Sequence, residues 1–227
     1  MRPGLRYLVQ SAKLAIAGGT IGLGSFFIYT RHTKFSPVED SDPLIKLVKE
    51  KGWNPHNNPM IKDLYVRRVP LEKIRPELRD SPVRLTRALC AGVWSNWGFS
   101  IQRAILNRSR NDTNRNHLWT EEELLSSEYN QGTLIADSFE VVEKEGNQIV
   151  IRGGDSPSSK SLRPLDAALE LSAKINEHEQ VVEFGFKSAF FAGDQPSEVM
   201  PMPGFAIWLH LQYAKLLLET GISNAMI

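Results

Sequence analysis

The spacing of apolar and polar positions changes character three times along this chain. From Leu14 to Thr30 the run LAIAGGTIGLGSFFIYT holds no charge over 17 residues, with cations on both sides. From Ser81 onward a helix period takes over: Leu85, Leu89, Val93, Trp97, Ile101 and Ile105 recur every fourth residue, with Trp94 and Ala104 beside them. Ser81 and Pro82 open that helix as cap and first turn. After Gly132 the period drops to two, and GTLIADSFEVVEKEGNQIVIRGG reads as two strands joined at a Gly-Asn turn. LRPLDAALELSAKI and EQVVEFGFKSAFFAG supply two more, connected by NEHE. Four strands so closely spaced predict an antiparallel meander. Beyond Pro201 and Pro203 the helix period returns, with Ile207, His210, Leu211, Ala214, Leu217 and Leu218 on one stripe and Gln212, Lys215 and Glu219 opposite.

Shorter signals fill the gaps. Residues 36–60 read as a linker with one short helix over Leu44 to Lys51, closed by two Asn-Pro steps. IKDLYVRRVPL predicts a strand ended by a proline, and Thr120 with Glu123 forms a capping box ahead of a short helix. Gly92 and Gly98 each cost the long internal helix about 1 kcal/mol, which marks a kink or a close contact there. The chain thus divides into a hydrophobic N-terminal segment (1–35), a linker (36–60) and an α+β domain (61–227).

The uncharged run sits at the lower limit for a membrane-spanning helix. A single-pass anchor is the preferred reading, with Tyr29 at the interface, Arg31, His32 and Lys34 flanking, and Gly18 and Gly22 as a small-residue packing face. A secretory signal is disfavoured because no small-residue cleavage pattern precedes the cations, and a mitochondrial presequence or anchor stays open because the first 38 residues lack acids. The expected place is therefore an endoplasmic or mitochondrial membrane.

Charge removes one class of partner. Arg2, Arg6, Lys13, Arg31 and Lys34 all precede the first acid, Glu39; taking those five from 27 basic residues leaves 22 against 26 acidic ones. Such a body has no basic excess with which to hold a phosphate backbone, so no nucleic-acid partner is expected. The single cysteine, Cys90, forms no intramolecular disulfide and reads as a small buried hydrophobe. His32, His56, His117, His178 and His210 are scattered without zinc spacing, and GGTIGLG follows no strand, so neither a metal nor a nucleotide cofactor is expected. Gly154-Asp155-Ser156 invites comparison with a nucleophilic serine, but Ser156 follows a strand of a meander two thirds along the chain and no Asp-x-x-His lies downstream. It reads as a turn.

The order strand, helices, antiparallel meander and long C-terminal helix resembles the START-like or polyketide-cyclase superfamily over roughly residues 60–222. That resemblance implies a helix-grip fold, in which a curved sheet wraps the last helix and leaves an apolar cavity. Five strands are legible here, against the six or seven usual in that superfamily. GDSP, RPLDAALELSA, VVEFGFKSAFFAG and WLHLQYAKLLLET together are similar to segments of small membrane-anchored fungal proteins, some from secondary-metabolite pathways. By that resemblance the partner is a hydrophobic polyketide or terpenoid intermediate, and the activity a cofactor-independent cyclisation or isomerisation.

Within such a cavity His210 and Tyr213 are the catalytic candidates, and Trp94, Trp97, Phe184, Phe186 and Trp208 the ligand-binding ones. The plainer reading of His210 is a neutral core histidine, and of the aromatics simple core. Asp166 with Glu170, and Glu183 with Lys187, share strand faces expected to lie outside, with a polar cavity patch as the alternative for Glu183 and Lys187. The alternative functions are a non-catalytic lipid or quinone carrier and an assembly protein at a membrane.

Overall fold

The computed structural model describes residues 19–157 and 161–227. Seven strands form one open antiparallel sheet: β1 Lys34–Ser36, β2 Ile61–Pro70, β3 Leu134–Ile135, β4 Phe139–Glu145, β5 Gln148–Gly153, β6 Asp166–Asn176 and β7 Val181–Phe191. Their spatial order is β1-β2-β7-β6-β5-β4-β3. The helices are α1 Gly19–Tyr29, α2 Pro43–Glu50, α3 Pro82–Ser95, α4 Trp97–Leu106, α5 Glu121–Ser126 and α6 Gly204–Ile222. The α+β class and the C-terminal helix agree with the sequence reading. Two of the seven strands leave no period-two trace because β1 has three residues and β3 two.

The meander is held by register. β6 and β7 pair from Asp166 with Phe191 to Asn176 with Val181, and the turn between β4 and β5 is Gly146-Asn147, with Gly146 at φ 52. Because side chains alternate, this register sends Leu169, Leu171, Phe184 and Phe186 to one face and Ala168, Glu170, Lys187 and Ala189 to the other. The first face packs with α3 and α6 into the main core around Trp94, Leu89 and Leu218. α2, capped by the Asp42 carboxylate on Leu44 N (2.9 Å) with Pro43 in its first turn, covers the second face with Leu44, Ile45 and Val48. Each large apolar side chain so buried stabilises the fold by roughly 1.5–3 kcal/mol.

The long helix expected from Pro82 to Ile105 is broken in two, which corrects the single-helix reading. The four-residue spacing runs through the break undisturbed, but Asn96 leaves helical geometry (ψ 170). Its side-chain amide donates to Thr220 O and Ser223 Oγ, both at 2.9 Å, and so ties the break to the end of α6. Both marked glycines prove to be contacts. A Cβ on Gly92 would lie 2.1 Å from Gly221 O, and one on Gly98 2.4 Å from Thr220 Oγ1. The expected capping box is present: Thr120 accepts from Glu123 N, and the Glu123 carboxylate accepts from Thr120 N.

Of the anchor run, residues 14–18 lie outside the described residues, and for Gly19–Leu23 only the backbone is described. No described helix is long and apolar enough to cross a membrane. At its C-terminal end α1 meets the body through Tyr29, whose ring lies 5.9 Å from Trp97.

Because backbone meets backbone at Gly92 and Gly221, Gly92→Ala must push α3 off α6. It is expected to lower stability by about 1–3 kcal/mol in urea unfolding, while Gly204→Ala, with nothing within 4 Å of its added methyl, leaves the midpoint in place. Equal midpoints for both variants would mean that the helices yield at this crossing.

Candidate functional site

One polar cluster interrupts the apolar face between α6 and the sheet. The β2–β7 register sets Asp63 opposite Ser188, and α6 lays His210 over them. Ser188 Oγ donates to Asp63 Oδ1 at 2.6 Å; His210 Nε2 stands 2.9 Å from the same oxygen and 3.1 Å from Ser188 Oγ. Asp63 and Ser188 are wholly buried, and about a tenth of the His210 side chain is exposed. A carboxylate only accepts, so the network assigns the imidazole proton to Nε2 and leaves Nδ1 of the neutral ring as an acceptor. The ring edge rests on Phe190, 4.4 Å between centroids. Asp63 Oδ2 is buried with no hydrogen-bond partner, an unusual cost for a carboxylate in a core.

This trio is not a serine-hydrolase triad. In a triad the acid and the serine occupy opposite nitrogens of the imidazole. Here both sit on Nε2, and the serine proton already points at the acid. What the arrangement provides is an imidazole oriented and electrostatically supported by a buried carboxylate, with one nitrogen left to accept a proton.

The structure disperses the other residues singled out from the sequence. Tyr213 donates its hydroxyl to Gln102 Oε1 (2.8 Å) between α6 and α4, and burial pushes its phenol up. Trp94, Phe184 and Phe186 lie inside the filled main core; Trp94 packs edge-on against Phe99 at 4.9 Å. Trp97 and Trp208 stand on the surface, 58% and 44% exposed. Two shallow, open depressions of about 480 and 570 Å³ lie elsewhere: one on α5 at Glu121, Glu122, Leu125 and Ser126, the other at Pro82, Val83, the Gly146-Asn147 turn, Lys174 and Ile175. Asp63 and Ser188 escaped the sequence reading, although the alternation of Ile61, Asp63 and Tyr65 already puts a carboxylate on the inward face of β2.

Three further polar clusters are structural in form. Lys187 Nζ reaches Glu170 Oε2 and Asp42 Oδ1, both at 3.0 Å, and so locks the cap of α2 onto the sheet. The face expected to be outside is thus the one away from α3 and α6, yet α2 buries Glu170 and Lys187 there, while Glu183 pairs with Arg68 at 3.1 Å. Arg152 holds Asp166 through Nη2 at 2.6 Å while its guanidinium lies 4.8 Å from the Trp53 ring; the neighbouring Arg163 is 1% exposed.

Ser156 sits in the turn expected for it, with Gly154 at φ 112. Its hydroxyl donates to Asp137 Oδ1 at 2.9 Å, and His117 Nδ1 lies 3.6 Å from that same oxygen. The acid, not the imidazole, is central, which is the wrong order for activating a serine. Burial lowers the His117 pKa against the opposing pull of Asp137. Cys90 is buried, and burial pushes its thiol up. Among the described residues no group of three or more His, Cys, Asp or Glu side chains converges as a metal site.

Burial also holds the Glu170 carboxyl above its usual range, against the pull of Lys187. The folded protein therefore keeps this proton at a pH where the unfolded chain has released it, and the group's contribution to stability falls as pH rises from about 4.3 to the raised value. Glu170→Gln removes that slope. Urea midpoints of the two proteins, compared from pH ~4 upward, are expected to show the wild type losing ground relative to the variant; a constant difference would assign Glu170 an ordinary pKa.

Compared with protein-family models, curated proteins and solved structures, the chain matches none of them.

Proposed function

We propose that this chain is a membrane-tethered helix-grip protein that binds a hydrophobic molecule at the α6 end of the sheet and directs its cyclisation or isomerisation through His210. The element order from β2 onward supports the fold: a strand, three helices, five consecutive antiparallel strands and a long C-terminal helix. The observation that carries the chemistry is the Asp63–His210 pair, a buried carboxylate aligning an imidazole at 2.9 Å. Such a pair accepts a proton at Nδ1 and is stabilised as imidazolium by Asp63, which suits enolisation of a polyketide carbonyl followed by ring closure. Orientation of a flexible chain supplies the remaining rate enhancement without a cofactor.

The site is a mouth rather than a chamber. From Phe205 to Tyr213 α6 is exposed or half-buried, whereas Leu217 and Leu218 on its later turns are buried. A substrate would lie along these first turns with its carbonyl toward His210, and the bilayer holding residues 14–30 would supply it. Endoplasmic and mitochondrial membranes both suit such a tether. A lipid or quinone carrier is the second reading; with Trp94, Phe184 and Phe186 buried in the main core, its ligand too would lie along the first turns of α6.

The test uses the full chain in detergent micelles, incubated with an extract rich in hydrophobic metabolites, with bound and altered molecules identified by mass spectrometry. A product isomeric with its precursor is expected from the wild type. His210→Ala is expected to keep binding and slow conversion by about 10²- to 10⁴-fold, and Asp63→Asn to slow it as well by holding the imidazole in the wrong tautomer. A ligand retained unchanged by all three proteins would establish the carrier, and the absence of both ligand and product would remove this site from the function.

A further inference from the structure

We infer that the outer surface of α4 and α6 seats on the headgroup boundary of a lipid bilayer, with the end of α1 as its point of entry. The inference rests on the membrane reading of residues 14–30, and adds to it which face of the domain the membrane meets.

The geometry starts from how the two helices lie together. Gly98 packs on Thr220 and Gln102 takes the Tyr213 hydroxyl, so α4 runs beside α6 in the opposite direction. Gly98, Phe99 and Ile105 turn inward, and Trp97 and Ile101, one turn apart, face out at 58% and 59% exposure. On α6 Phe205 and Trp208 are 54% and 44% exposed, their rings stacked 6.0 Å apart. The chain enters at the same place. Tyr29 touches Trp97, and Thr33 donates to Glu219 Oε1 at 2.5 Å, so residues 29–33 pass along this side before β1 begins.

Large aromatic side chains held in water forfeit the apolar transfer energy that the rest of the chain gains by burial. Tryptophan and tyrosine are the residues that favour the membrane–water interface, where a flat apolar ring and a single polar group are both satisfied. The opposite side of the domain is built differently: the outward positions of α2 are Lys46, Lys49 and Glu50, all exposed. The helix surface beside the end of α1 thus carries exposed Trp97, Ile101, Phe205 and Trp208 where the outer surface of α2 carries charge. Exposed Arg31 and Lys34 follow α1 directly and meet anionic headgroups at the depth the aromatics imply.

A bilayer is favoured over a protein partner by the tether. Residues 14–30 are about the shortest run that reaches across a hydrocarbon core, and α1 ends on Trp97. Once that run is in the membrane, the lipid surface is held against this face at high effective concentration.

Fluorescence separates this proposal from the reading beneath it. Of the five tryptophans, Trp53, Trp94 and Trp119 are buried, so Trp97 and Trp208 alone can meet lipid. The full chain is reconstituted with phosphatidylcholine vesicles whose acyl chains carry bromine, a contact-range quencher, and flotation is measured alongside emission. The expected result is co-flotation with partial quenching, and loss of that quenching in W97F/W208F while flotation and far-ultraviolet circular dichroism are unchanged. Flotation without quenching would leave the tether in place and overturn the docking face. Absence of flotation would overturn both. Shielding of Trp97 and Trp208 from aqueous acrylamide without vesicles would also overturn it, by assigning the face to a second copy if it grows with protein concentration, or to the chain's own first residues if it does not.

Discussion

The eleven-residue register of β6 against β7 is the constraint on which the remaining structure depends. A side-chain period of two allows no intermediate: a slip of one residue would turn Leu169, Leu171, Phe184 and Phe186 away from the helices and drive Glu170 and Lys187 into the main core. The register extends to β2, where it sets Asp63 beside Ser188, and to β5, where Ile149 and Ile151 join the helix-facing side. These pairings set Asp63 opposite Ser188 and Glu170 opposite Lys187. The β4–β5 turn needs a positive φ at its first position, and Gly146 supplies it without steric cost.

α6 is the shared member of the helical layer. Its sheet side carries His210; its α3 side is stripped to Gly221 so that Gly92 can touch it; its α4 side offers Thr220 and Tyr213; its outer side holds Glu219, which receives Thr33 and Arg67. One helix thus joins the segment that follows α1, the core and the polar cluster. Its two halves differ accordingly. The later turns are buried between α3 and the sheet, and the first turns, which carry His210 and Tyr213, are exposed or half-buried.

Burying charge is unfavourable unless each charge is answered. Arg152 with Asp166, and Lys187 with Glu170 and Asp42, answer one another and fasten Trp53 and α2 to the sheet. Asp63 is answered on one oxygen only. Other buried groups share that condition, Arg163 Nε beside Asp166 and His117 Nδ1 beside Asp137 among them; what sets Asp63 apart is the partly exposed imidazole that lies over it.

The sequence by itself determined the class of the fold and most of its elements, because those follow from local rules: a period of two for β4 to β7, a period of 3.6 for α6, Ser81 and Thr120 as caps, and Gly154 as a turn. It also excluded the serine at 156 as a nucleophile, since that argument rests on chain order. Contacts between distant segments were beyond it. The break at Asn96 depends on Thr220, 124 residues away, and the apolar spacing across it is what an unbroken helix would show. Trp94 and Trp97 stand three residues apart in one apolar pattern, yet Trp94 near the end of α3 is core and Trp97 at the start of α4, past the break at Asn96, is surface. His210 was visible as an ionisable residue on an apolar stripe, but its partners were not: Asp63 lies 147 residues earlier, and only strand pairing across β2 and β7 brings it under the helix.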